Sequence, residues 1–182
     1  MNRMHVLGAP DGHRPWTPDV QGAGSGGNAD AAARWLLLAA ESPEVAVQEW
    51  RARGVALLAC GGVFDAVRAP CDLVRVAVSA ADDIRAVGVL RAALGGGPIF
   101  VDRATGQVYA LTAPGAWSPE RIPLVERLGR GCYLGVPQLG PATARSRACW
   151  AGPVERYACA AGPLRALLTR GLELLRAAEE HA

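Results

Sequence analysis

The chain has no lysine: all 19 basic residues among its 182 are arginine. A guanidinium fork suits phosphate and carboxylate recognition, which would give this bias a functional meaning. A GC-rich coding sequence explains it more simply, since it also favours the alanine, glycine and proline found here, including 22 glycines and 13 prolines. Histidine is scarce and peripheral. His5, His13 and His181 sit near the termini, so no Cys/His metal cluster can be assembled from them. The five cysteines, Cys60, Cys71, Cys132, Cys149 and Cys159, are odd in number and lack close paired spacing. They read neither as a disulfide framework nor as a zinc site, and a reducing cytoplasm is the expected compartment. Long apolar runs are missing too. The longest, Trp35 to Ala40, is far too short to cross a bilayer, so no membrane association is expected. The start of the chain lacks a charged segment leading into an apolar one, so a signal peptide is not expected. Strong charge of either sign is also absent. With 19 basic and 17 acidic residues the net charge is +2, too small to imply nucleic-acid binding through electrostatics alone.

What is present is a foldable interior. Apolar residues make up 51% of the chain and the mean hydropathy is +0.14, enough for one domain with a sizeable core. Residues 1–28 are rich in glycine, proline and single polar residues without periodicity, and read as a flexible leader before a domain at 29–182. The glycines of Gly22 to Gly27 are not a phosphate loop, because no strand precedes them and no Gly-Lys-Ser/Thr follows.

Asp30 can cap a helix from Ala31 to Glu41. Ser42-Pro43-Glu44 is a second start signal, for a helix carrying Val45, Val47 and Trp50 and stopping at Gly54. Val55 to Ala59 and Val63 to Val67 are apolar runs around Cys60-Gly61-Gly62, the pattern of a β-hairpin with a positive-φ turn. Cys71 to Val78 looks helical, and Ser79 or Asp82 caps a further helix ending before Gly95-Gly96-Gly97. Pro98 to Val101 and Gln107 to Thr112 form another strand pair. Gly131 to Val136 is a strand, with a short one around Cys149 to Ala151. Pro163 to Ala178 is an amphipathic helix with Leu164, Leu167, Leu168 and Leu175 on one side. Mixed helices and hairpins argue for an α+β fold with a largely antiparallel sheet flanked by helices.

Three blocks, in order, resemble the bifunctional DNA primase/polymerase domain. The first runs from Gly54 to Val67 behind the Trp50 helix, where that family has an apolar strand, a glycine turn and a strand ending in Asp-x-Asp. The second, Thr105-Gly-Gln-Val-Tyr-Ala-Leu-Thr-Ala-Pro114, is similar to the family's Ser-Gly-Gly-x-His-x-Tyr-Phe strand. The third, Gly129-Arg-Gly-Cys-Tyr-Leu-Gly-Val-Pro137 with Trp150 to Pro153 beyond, resembles its Gly-Gly-Tyr-Val-Val-x-Pro strand and later Trp. The Cys-Gly-x-x-Phe-Asp turn is similar to that of a short actinobacterial branch of the family. Together the blocks span about half the chain.

The resemblance implies a role in DNA replication and metal-assisted nucleotidyl transfer, with carboxylates holding Mg²⁺ or Mn²⁺ and a nucleotide or DNA as partner. The match is incomplete at the positions that carry this chemistry. Asp65 falls on the first Asp of Asp-x-Asp and is the expected catalytic and metal-binding residue. Val67 stands at the second, and Tyr109 stands where the nucleotide-contacting His would be. Glu126 is the only acid near the third carboxylate position. Arg130 and Gly131 can offer a guanidinium and backbone N–H groups to a phosphate.

Each has a plainer reading. Asp65 can be a buried acid paired with Arg68 or Arg103, Tyr109 a packing residue, Cys60 a small buried hydrophobe, and Arg130 an exposed turn residue. Arg145 and Arg147 lie in a polar loop. The expected function is a divergent primase/polymerase-like domain that binds nucleotide or nucleic acid through a degenerate metal site. The alternative is a non-enzymatic protein-interaction module on the same fold, using the Trp-bearing first helices or the Leu-rich last one.

Overall fold

The computed structural model describes residues 26–117, 121–140 and 146–181. The leader up to residue 25 and Arg145 lie outside them. The elements in chain order are α1 (Gly26–Leu37), α2 (Pro43–Arg53), β1 (Val55–Ala59), β2 (Asp65–Pro70), α3 (Cys71–Ala77), α4 (Asp83–Ala93), β3 (Ile99–Asp102), β4 (Gln107–Thr112), β5 (Glu126–Leu128), β6 (Tyr133–Pro137), β7 (Ala148–Trp150) and α5 (Ala161–Glu180). The fold is α+β, and the five pairings between these strands are all antiparallel.

Local chemistry sets several boundaries. The Ser42 side chain accepts from the Val45 N–H, Pro43 opens α2, and Gly54 closes it at φ +71, its N–H donating to the Trp50 carbonyl. Asp82, rather than Ser79, caps α4 by accepting from the Arg85 N–H. The first helix is displaced from expectation. It starts at Gly26, so Asp30 lies inside it, and it ends at Leu37 because Leu38, Ala39 and Ala40 donate three residues back in a tightening turn. That turn presents the Ala39 carbonyl to the Ala59 N–H and so ties α1 to β1.

The larger departure concerns β1 and β2, which were expected to pair as a hairpin. They belong to different sheets. β1 pairs with β6 in a two-stranded ribbon, whereas β2 lies inside a five-stranded sheet of order β5-β2-β4-β3-β7. The turn itself is as expected: Gly61 has φ +89 and its N–H donates to the Phe64 carbonyl at 2.7 Å. Both edges of β2 are taken by β4 and β5, and Phe64, fully buried, carries the chain from the ribbon to the sheet. A strand with two neighbours cannot also accept the preceding one.

The two faces of the large sheet bury separate cores, read off by strict alternation along the strands. Val67, Ala69, Val108, Ala110, Ile99 and Val101 face α3, α4 and α5, where Val74, Leu90, Leu164 and Leu168 meet them. Ala66, Leu111 and Phe100 face the β1–β6 ribbon with α1 and α2, packing with Leu36, Trp50, Leu58 and Val136. Gly171 permits close approach of α5 to α3, since a Cβ there would meet the Ala77 Cβ and the Leu73 carbonyl at 2.8 Å. No helix among the described residues is long and apolar enough to cross a membrane.

Candidate functional site

Asp65 begins β2 and lies opposite Thr112, the last residue of β4. These are the two buried polar side chains among the described residues, at 1% and 0% exposure. Beyond Thr112 the chain turns at Gly115, which adopts φ +72 and donates its N–H to Asp65 Oδ2 at 2.8 Å. From the other side β5 lays Arg127 opposite Val67, diagonally across from Asp65 on the same face. Its Nε lies 3.5 Å from Asp65 Oδ2, with the Arg127 side chain 42% exposed. The plainer reading of Asp65 therefore holds with a different partner. Arg68 instead pairs with Glu126 across the strands, and Arg103 donates its N–H to the Arg147 carbonyl.

Arg127 curls over Gly129, where a Cβ would come within 2.8 Å of its Nη2. Glycine there leaves room for the guanidinium. Next in the chain, Arg130 and Gly131 are exposed, and Gly131 turns at φ +86. The backbone of Arg130 lies directly under Gly61, so a Cβ at Gly61 would collide with it. The Cys60–Phe64 turn and the Gly129–Cys132 turn thus interlock, joined by the Cys60 N–H to Cys132 carbonyl bond at 2.9 Å. This brings Asp65, Arg127, Arg130 and Gly131 to one end of the large sheet, the end nearest Gly61.

Tyr109 is elsewhere. It lies opposite Arg68 in the β2–β4 register, three positions from Asp65's partner, and hence on the other sheet face. There it stacks on Phe100 with ring centroids 5.0 Å apart and planes at 16°. Burial pushes its phenol above the ordinary range, Arg68 opposes the shift, and Asp102 and Glu126 add to it. It packs as an aromatic residue of that face, next to the Arg68–Glu126 pair.

The metal implied by the resemblance does not fit this donor set. The Asp65 carboxylate already receives an N–H and faces a guanidinium, and the next residue on its face is Val67. Among the described residues no group of three His, Cys, Asp or Glu side chains is arranged to hold a metal ion. Arg127, Gly115 and Thr112 escaped the sequence reading. Arg127 sits in a three-residue strand with two charged positions, too short for any alternation to show. A glycine two residues after it was the one available signal. Arg147 sits by Asp102, its Nε 3.7 Å from Oδ1.

No family model matches the chain, and neither does any curated protein or solved structure.

Proposed function

We propose that the domain is a divergent primase/polymerase-like scaffold that binds the phosphates of a nucleotide or nucleic acid and does not perform metal-dependent nucleotidyl transfer. One observation carries this reading: the buried Asp65 carboxylate faces the Arg127 Nε at 3.5 Å while the Arg127 side chain stays 42% exposed. An arginine oriented by a buried carboxylate loses less freedom on binding an anion than a loose one. Arg130 and the positive-φ turn at Gly131 lie close by, offering a second guanidinium and backbone N–H groups. Mg²⁺ or Mn²⁺ enters on this reading only as the counter-ion of a triphosphate. Tyr109, on the far face, does not contact the nucleotide.

The test is equilibrium binding of a nucleoside triphosphate and of single-stranded DNA at low salt. Arg127→Ala or Arg130→Ala should weaken binding about tenfold each, as loss of one charge-assisted hydrogen bond does. Primer extension with Mn²⁺ should give no incorporation. If neither ligand binds wild type at low salt, the reading falls.

A second reading has its own observation. Leu57 on β1 and Tyr133 on β6 are about half exposed, and Leu38 after α1 is more so. These side chains give the ribbon and adjoining turn an apolar outer face of the kind used in protein contacts. If Leu57→Glu abolishes capture of a protein partner and phosphates do not bind, this reading replaces the first.

A further inference from the structure

We infer that Cys60 and Cys132 form a reversible thiol–disulfide site, oxidised by a low-molecular-weight disulfide that enters at Cys132. This does not rest on the proposed phosphate binding. The β1–β6 register pairs Ala59 with Tyr133, so the next pair outward is Cys60 with Cys132, and the Cys60 N–H to Cys132 carbonyl bond at 2.9 Å confirms that they face each other. Hydrogen-bonded cross-strand partners have Cα atoms about 5.5 Å apart. A disulfide accepts Cα separations of roughly 4.4–6.8 Å.

Both side chains lie on the same face of the ribbon. Cys60 belongs to the core formed with Leu58, Leu134 and Val136, and Cys132 packs against that core. The pair sits where the ladder opens. Cys132 donates its N–H to the Gly129 carbonyl rather than back to Cys60, so a single backbone bond joins the two residues. That leaves the backbone room to adjust to a cross-link.

The two thiols differ in access. Cys132 is partly exposed, whereas Cys60 is buried and its thiol is pushed up to about 11, chiefly by burial and then by Cys132 and Asp65. Entry at Cys132 follows. Its thiol gives a proton to solvent, and the thiolate attacks one sulfur of the small disulfide. That S–S bond breaks and one small thiol leaves with a proton. Cys60 then loses its proton to solvent and attacks the Cys132 sulfur, expelling the second small thiol. Two protein thiols are oxidised to one disulfide, and one small disulfide is reduced to two thiols. Cys71, Cys149 and Cys159 are buried and stand outside this exchange.

The experiment incubates the full chain with oxidised glutathione, quenches with an alkylating agent and maps peptides by mass. Wild type should yield a Cys60–Cys132 linked peptide, lost on adding dithiothreitol. Cys60→Ser should stall as a glutathione adduct at Cys132, and Cys132→Ser should leave Cys60 unmodified. The inference is overturned if wild type keeps a stable adduct at Cys132 with no link to Cys60. It is equally overturned if Cys71, Cys149 or Cys159 reacts as fast as Cys132. Circular dichroism of both variants shows whether they remain folded; if neither does, the wild-type peptide map alone decides.

Discussion

A carboxylate taken out of water needs hydrogen bonds and a counter-charge, and Asp65 has one of each in Gly115 and Arg127. Removing it takes a partner from both. Asp65→Ala should cost about 2 kcal/mol, as losing a hydrogen bond to a charged group does, because Arg127, 42% exposed, can turn to solvent. Asp65→Asn, which keeps an acceptor for Gly115, should cost about 1 kcal/mol. Urea unfolding checks the order, and an equal loss for both variants would contradict it. Thr112 makes the opposite case. Its buried Oγ1 finds no hydrogen-bond partner among the described residues. Thr112→Val should therefore leave stability unchanged or raise it by up to about 1 kcal/mol. A clear loss of stability would mean that the hydroxyl is satisfied after all.

At the scale of the elements, what the sequence made legible was local. The Ser42-Pro43 start, the Gly54 stop, the Asp82 cap and the β3–β4 hairpin each depend on residues a few positions apart, and all appear where their chemistry places them. The destination of β1 was not local. Its partner β6 is more than seventy residues away, and the short glycine turn after β1 suits a hairpin as well as a crossing between sheets. β5 was invisible because three residues, two of them charged, carry no period, and with β5 went the partner of Asp65. Asp65, which the resemblance picks out, and Arg130 and Gly131, which their own chemistry picks out, lie at one end of the large sheet, but Tyr109 was not separable from them, because a sequence does not show which strand lies across the register. Close packing gives an element-scale prediction. Gly171→Val should drive a branched side chain into Ala77 and the Leu73 carbonyl, pushing α5 off α3 at a cost of about 2 kcal/mol or more. Thermal unfolding reads it, and an unchanged midpoint would show that α5 is not seated this closely.

For the whole molecule, its buried thiols make stability depend on pH. Burial, with smaller additions from neighbouring charges, moves Cys60 from its ordinary 9.0 to about 11 and Cys71 to about 12, and burial alone takes Cys159 to about 12. Between pH 9 and these values the folded state retains protons that the unfolded chain releases. The contribution is fully present below pH 9 and is lost as pH rises through the folded values. Unfolding midpoints measured under reducing conditions should fall from pH 8.5 to pH 11 (about two and a half units), and Cys159→Ala should flatten the upper part of that slope.

The two sheet faces divide the protein's chemistry in the same way that they divide its cores. Asp65 and its arginine lie toward one face, Tyr109 and the Arg68–Glu126 pair toward the other, so the residues that the resemblance groups together are split between them. On the proposed function, phosphates are held here by arginine and not through a metal on Asp65. The most direct measurement is the affinity for a nucleoside triphosphate, titrated with Mg²⁺ and again with a chelator in its place. The account predicts binding that survives the chelator and weakens about tenfold in Arg127→Ala. Binding that requires Mg²⁺ and disappears in Asp65→Asn while surviving in Arg127→Ala would contradict it.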